Sequence, residues 1–473
     1  MTIKFGTDGW RAKIADGFTF KRLAKVALGV ARTCLDTYPY RRHIYIGYDR
    51  RFLSEDFAKM TASVFASEGF QVFLTSTYMP TPVLSFKAKQ DPKAAGAIVI
   101  TASHNPPDYN GFKFKQFHGC SALQATTDAF ETKIKTLKDV EVPSDEVFKS
   151  HLEKRKIIFV DLIDDYKQTL FSHIDTKKIK AARFRVGVDA MYGSGSTFFR
   201  EILESLDVEV TEIHAQDNPN FGGIAPEPVE KNLKELASIV KKDHLDCGFA
   251  TDGDGDRLGA IDKHGNAFTT QMILSVFYWH MLKNKHKKWN IARSVSTTQM
   301  VDLIAQAFGQ TCIETPVGFK FIAEHMVAGK AQVGGEESGG VGIKDYIPER
   351  DGIFTALMLL EMMATEQKSL SEIYACLCAE IRPYQFKRLD LHLPTERIEE
   401  AMVKLQANPP QDFAHRKVDR IEKMDGMKFY LEDGSWVLIR PSGTEPLFRL
   451  YAEAEDLNAC NLLLESAQDF LKA

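Results

Sequence analysis

The sequence predicts an α/β protein built as three units of similar pattern with a smaller α+β unit behind them. Three observations carry this. The chain has 473 residues, and a single hydrophobic core stops growing at about 250–300. Short apolar, β-rich runs alternate with helix-period stretches through the first three quarters, the grammar of a mostly parallel sheet with crossover helices. Past about Pro383 the hydrophobic period changes to two, as in an antiparallel sheet.

In order, the first unit reads as a helix over 20–35, a strand over 44–47, a helix over 55–69 and a strand over 71–74. A short strand over 97–101 then ends in a polar loop. The grammar restarts at 185–189, with strands over 208–213 and 245–251. It restarts again at 292–296, with strands over 311–315 and 331–334 and a closing helix after Asp351. RLDLHL and KFYLEDGSWVLIR alternate apolar and polar residues around an Asp433-Gly434 hairpin signal, and a last helix follows Glu455. A charged, helix-prone span over 133–156 separates the first two units. The expected boundaries are therefore 1–155, 156–262, 263–380 and 381–473.

Hydrophobic residues make up 44% and charged residues 26%, ordinary for a globular chain, and the formal charge of -4 argues against nucleic acid as a general partner. MTIKFGTDGWRAK has no apolar signal core, and no run is long enough to span a bilayer, so a cytoplasmic protein without a membrane partner is expected. The seven cysteines are scattered without a C-x-x-C pair, which fits free thiols in a reducing compartment.

Four loops carry chemistry. TASHNPPDYNGFK, over 101–113, leaves the C-terminal end of a strand, where open α/β sheets bind ligands. Pro106-Pro107 stiffens it and Asn110-Gly111 reads as a turn, holding Ser103 out with Lys113 folded back toward it. A phosphorylated serine is a phosphoryl donor, although a plain turn containing serine fits these residues too. His104 adjoins Ser103, and neighbouring side chains tend to point apart, so a Ser-His hydrolase pair is not expected. In TDGDGDRLG, Asp252, Asp254 and Asp256 alternate, which puts three carboxylates on one face of an extended segment. Such crowding calls for a cation, and hard oxygen ligands select magnesium, manganese or calcium. An EF-hand is excluded, because Arg257 stands where its glycine belongs and Lys263 where its glutamate belongs. Arg257 is placed to grip a phosphate. GGEESGG, over 334–340, offers Glu336 and Ser338 to sugar hydroxyls. RPSGTEP, over 440–446, offers Arg440, Ser442, the Gly443 amide and Thr444 as a phosphate nest, with Arg449 just beyond. No Walker P-loop is present, and GSGS over 193–196 lacks the third glycine of a dinucleotide fingerprint.

These loops, in this order and with the opening FGTDGWR, resemble the α-D-phosphohexomutase superfamily of phosphoglucomutases, phosphomannomutases and phosphoglucosamine mutases. The resemblance runs from residue 5 to residue 449. It implies three similar mixed-sheet α/β domains and a smaller fourth around a central cleft, with one loop from each. It further implies that Ser103 carries the phosphoryl group and completes a single Mg2+ site with Asp252, Asp254 and Asp256. Arg11 and Lys113 would flank the reacting group, with His104 beside it. Glucose 1,6-bisphosphate would be intermediate and activator, and a hexose phosphate the partner, in a monomer or homodimer. Gly340 and Phe319 stand where dual-specificity relatives resemble one another in carrying histidines. PVGFKF is similar to the TGWKF of glucose-directed enzymes, with Lys320 at a substrate-contacting position. Glucose is thus the expected sugar, then mannose, then glucosamine. The rival readings are a phosphatase and a non-catalytic sugar-phosphate binding protein.

Overall fold

The computed structural model describes residues 3–442 and 446–472. Its first sheet has six strands in the order Trp10–Lys13, Tyr109–Gln116, Ala94–Ile100, His43–Tyr48, Gln71–Thr75, Ile157–Val160. Ala94–Ile100 is buried at every residue, as a central strand covered on both faces must be. Helix Phe20–Thr37 starts where Thr19 Oγ1 accepts from the Arg22 amide, so the first turn of amides is capped by side-chain chemistry. Ile157–Val160 lies beyond residue 155 yet pairs in parallel with Gln71–Thr75, so the first sheet reaches past the charged span. That span forms helices Gln124–Thr136 and Asp145–Glu153.

The second sheet runs Ala267–Phe268, Leu258–Asp262, Cys247–Thr251, Arg185–Asp189, Glu209–Ile213, and the third Cys312–Thr315, Ile291–Ser294, Val333–Glu336, Gly340–Ile343. The fourth is antiparallel, in the order Gln385–His392, Leu447–Ala454, Trp436–Pro441, Met427–Leu431, Arg416–Glu422, Asp412–Phe413. Helix Gly352–Glu366 closes the third unit, its Asp351 cap accepting from the Phe354 amide.

One device recurs in all three α/β units. A central strand turns back antiparallel: Ala94–Ile100 into Tyr109–Gln116, Cys247–Thr251 into Leu258–Asp262, and Val333–Glu336 into Gly340–Ile343. The segments between these strands are the three loops singled out above. The return strands correct the sequence reading of 101–113 as one loop. Asn110-Gly111 is strand, not turn, paired with Ala12 and Arg11; the Asn110 side-chain Nδ2 donates to Ser54 Oγ at 2.9 Å, and a Cβ on Gly111 would stand 2.4 Å from the Thr101 carbonyl. Gly111 therefore serves close approach of three chain segments.

A single apolar cluster joins the first three units, running from Leu84 and Tyr166 through Phe249 and Leu274 to Phe354. The fourth unit has its own core around Phe429, Ile439, Leu450 and Leu463. It meets the third through Val295 packed with Tyr430, Trp436, Leu438 and Tyr451. Beside that patch the Lys428 ammonium donates to the Val295 carbonyl at 2.8 Å and to Glu314 at 2.9 Å. All seven cysteines are free thiols, and among the described residues no helix is long and apolar enough to cross a membrane.

Candidate active site

Ser103 leaves strand Ala94–Ile100 in the left-handed region, at φ +53°, a conformation that costs an L-residue about 1–2 kcal/mol. The surroundings hold it there. Thr101 Oγ1 accepts from the Ser103 amide at 2.8 Å and donates to Asp49 Oδ2 at 2.6 Å. Arg51, fully buried, donates to four carbonyls of the loop: Ser103 (2.6 Å), Asn105 (2.6 Å), Pro106 (2.7 Å) and Tyr109 (3.0 Å). Its Nε is 3.1 Å from Asp49 Oδ2. The reversed backbone also brings His104 Nδ1 to 3.4 Å from Ser103 Oγ, against the expectation that adjacent side chains diverge. That expectation assumes extended backbone, which Ser103 does not have. Burial, then the cations Arg257, Arg11 and Lys113, hold the His104 pKa well below the usual imidazole value, so the ring is neutral.

Ser103 Oγ donates to Asp252 Oδ2 at 2.8 Å, which puts the first loop on the second. Asp252, Asp254 and Asp256 are fully buried, and each offers an oxygen within 4.8 Å of the others. Asp254 Oδ1 and Asp256 Oδ1 are buried without a hydrogen-bond partner. Burial and the two neighbouring carboxylates push Asp252 well above the ordinary carboxyl range, a strain that a cation would relieve. The donor set is all oxygen, as a hard divalent ion requires, so the residues fit a metal.

The strand Tyr109–Gln116, not a loop, delivers Lys113 to this cluster. Its ammonium lies 2.7 Å from Asp254 Oδ2, 3.2 Å from Asp256 Oδ2 and 2.6 Å from Asp8 Oδ2. Burial pulls its pKa down, but the three carboxylates outweigh that and hold it above the usual lysine value. Lys113 thus neutralises the outer oxygens and leaves the inner ones. Arg11 donates to Asn105 Oδ1 at 2.6 Å, and Arg257 to Glu227 at 3.2 Å, while the Arg257 amide donates to Asp252 Oδ1 at 3.1 Å. Both guanidiniums therefore stand beside the serine and aspartate loops.

In the third loop Glu336 Oε1 accepts from Ser338 Oγ at 2.7 Å and from Arg350 Nη1 at 3.0 Å. Lys320 is not brought to this pair; its ammonium donates to Gln124 Oε1 of the first unit at 2.6 Å. Phe319 is buried under the Arg350 guanidinium, 5.5 Å from its ring centre. In the fourth unit Arg440 and Arg449 are direct cross-strand partners, which sets two arginines side by side on adjacent strands. Arg440 donates to Asp425 Oδ1 at 2.8 Å, and the Ser442 amide to the Leu447 carbonyl at 2.9 Å. Gly443 and Thr444 lie outside the described residues.

Several residues the sequence reading did not single out belong here. Asp8 accepts from Lys113, from Lys115 (3.1 Å) and from Arg350 (3.0 Å). Arg51 and Arg350 are the others. Arg51 follows a predicted strand end, the same signal that marks Ser103, whereas nothing local marks Arg350.

Four segments of the chain match known sequence families. Residues 2–141, 164–265 and 269–381 match alpha/beta/alpha domains I, II and III of phosphoglucomutase/phosphomannomutase, and 398–466 match its C-terminal domain. The chain belongs to the phosphoglucomutase/phosphomannomutase family. Phosphohexomutases of this kind are enzymes of intramolecular phosphoryl transfer. A phosphoglucomutase/phosphomannomutase of Thermococcus kodakarensis is 30% identical over 98% of this chain and 96% of its own. A phosphoglucosamine mutase of Methanocaldococcus jannaschii is 30% identical over 99% of this chain and 98% of its own. A crystal structure from Thermus thermophilus, provisionally named a phosphomannomutase, superposes with a TM-score of 0.87 at 31% identity and full coverage of both chains.

Proposed function

We propose that this enzyme interconverts glucose 1-phosphate and glucose 6-phosphate, with Ser103 as the phosphoryl carrier and glucose 1,6-bisphosphate as intermediate and activator. One observation supports this above the rest: a buried serine hydroxyl lies against three aspartates, two of which keep an inner oxygen without a hydrogen bond. One Mg2+ per chain, held by Asp252, Asp254, Asp256 and an oxygen on Ser103, would supply Lewis-acid stabilisation of the transferring phosphoryl group.

The chain's own residues do the rest. The substrate hydroxyl attacks phosphorus, the Ser103 Oγ–P bond breaks, and the new sugar O–P bond forms. The hydroxyl proton passes to neutral His104 beside Ser103, which gives it to the Ser103 oxygen as that oxygen leaves as a hydroxyl. Arg11 and Arg257 stabilise charge on the phosphoryl oxygens. Lys113 keeps the metal aspartates from repelling one another as the charge shifts. The bisphosphate then turns over, and its other phosphate returns to Ser103. Arg440, Ser442, Gly443, Thr444 and Arg449 hold whichever phosphate is not reacting, while Glu336 and Ser338 hold sugar hydroxyls. Lys320 would reach the sugar only by leaving Gln124.

Glucose is favoured because Phe319 is buried and Gly340 has no side chain, so neither position offers an imidazole to the sugar. The M. jannaschii relative makes glucosamine 1-phosphate the second reading, with mannose 1-phosphate tested beside it. Turnover of the three 1-phosphates, with Mg2+ and a trace of the matching bisphosphate, decides. Preference for glucose supports the assignment, preference for another sugar replaces the substrate, and no turnover of any removes the mutase reading.

A further inference from the structure

Arg350 has no place in the roles above, yet its side chain makes four hydrogen bonds, all to carboxylates. It stands just before helix Gly352–Glu366 and is almost wholly buried. Its Nη1 donates to Glu336 Oε1 at 3.0 Å, and its Nη2 donates to Asp256 Oδ2 at 2.9 Å and to Asp8 Oδ2 at 3.0 Å. One planar group therefore contacts the sugar loop of the third unit, the metal loop of the second and the N-terminal loop of the first. Each carboxylate is gripped by one oxygen only. Asp256 keeps Oδ1, the buried oxygen without a hydrogen-bond partner, for the cation. With Oε1 of Glu336 committed to Arg350 and Ser338, Oε2 is the oxygen offered to a sugar hydroxyl.

The glycine at 340 belongs to the same arrangement. A Cβ there would stand 2.0 Å from Arg350 Cδ and 2.2 Å from its Cγ. The Arg350 chain runs through the space a side chain at 340 would fill, so Gly340 is what lets the guanidinium reach the cluster. Phe319 forms the other wall, its ring under the guanidinium.

We propose that Arg350 is a positioning residue that couples the sugar loop to the metal loop, by fixing Glu336 and Asp256 at once through a path that Gly340 keeps open. This rests on the function proposed above. The competing explanation is simple charge balance, with Arg350 offsetting Asp8, Asp256, Glu336 and Glu349. Arg350→Lys separates the two, because it keeps the charge and loses the fork that spans two carboxylates.

The test uses the full-length chain and three measurements: Mn2+ binding by calorimetry without sugar, kcat and KM for glucose 1-phosphate, and melting temperature. For Arg350→Lys the expected result is Mn2+ affinity and kcat/KM each down by about tenfold to a hundredfold, as for other residues that orient metal ligands. Gly340→Ala should raise KM in wild type and add much less in an Arg350→Ala background, where the contacts with Cδ and Cγ are gone and only the 2.9 Å approach to Cβ remains. Wild-type Mn2+ affinity and KM in Arg350→Lys overturn the proposal, and so do additive effects of Gly340→Ala and Arg350→Ala. If Arg350→Ala does not fold, Arg350→Lys and Gly340→Ala alone decide. Should wild type turn over no hexose phosphate, the mutase reading fails, while the Mn2+ measurement still judges Arg350.

Discussion

Arg51 is the residue on which the geometry of Ser103 depends most heavily, and Arg51→Lys isolates that dependence. The guanidinium makes five hydrogen bonds, one to Asp49 and four to carbonyls between residues 103 and 109. A lysine ammonium has three donors on one centre, so at least two of the five hydrogen bonds are lost. At about 0.5–1.5 kcal/mol for each lost hydrogen bond, the loop loses roughly 1–3 kcal/mol of local stability. That is of the same size as the about 1–2 kcal/mol that holding Ser103 in its left-handed backbone costs, enough to let the serine shift. Displacement of a reacting group by about 1 Å is enough to cost about a hundredfold in rate. Amide exchange across 101–109 should accelerate in Arg51→Lys, with kcat down by about that factor and the rest of the fold protected as before. Wild-type exchange and wild-type turnover together would refute the claim that Arg51 holds the loop.

Two further perturbations test the electrostatics. Burial raises Asp351 from an ordinary 3.8 to about 6, although it accepts from Tyr166, Tyr346 and the Phe354 amide. The folded state then binds more protons than the unfolded one between those values, so stability falls as pH rises from about 4 to about 6 and is lower by about 3 kcal/mol above it. Asp351→Asn should flatten that slope in urea unfolding measured from about pH 4 to about pH 7, and an unchanged slope counts against the assignment. Asp254→Asn should sharply weaken Mn2+ binding in calorimetry and lower the melting temperature, since it removes the carboxylate that pairs with the buried Lys113 ammonium. Unaltered affinity would take that aspartate out of the metal site.

The chemistry-bearing loops were legible because their donors are contiguous. Asp252, Asp254 and Asp256 need only a bend at Gly253 and Gly255 to share an ion, so spacing suffices. The return strands were not. FKFKQ in Tyr109–Gln116 reads as an exposed amphipathic edge, yet the side chains of Lys113 and Lys115 are fully buried. Phe112 and Phe114 face the apolar core of the first unit, and the lysines face Asp8, Asp254, Asp256 and Glu349 from the opposite side. A strand with a buried charged face has the pattern of one with a solvated face, and only the tertiary partners tell them apart. Arg350 was hidden for the same reason. Its partners Asp256 and Asp8 lie 94 and 342 residues away, and no local pattern joins them. Lys320 shows the converse: local resemblance named it, while the fold turns its ammonium toward Gln124.

The central claim is that Ser103 carries the phosphoryl group between the two hydroxyls. The most direct test is to incubate the enzyme with radiolabelled glucose 1,6-bisphosphate and Mg2+, map the labelled peptide, and chase the label with unlabelled glucose 1-phosphate. The account predicts label on the peptide containing Ser103, its transfer to sugar phosphate during the chase, and neither label nor turnover in Ser103→Ala. Label at another residue, or a Ser103→Ala enzyme that turns over as wild type, would contradict it.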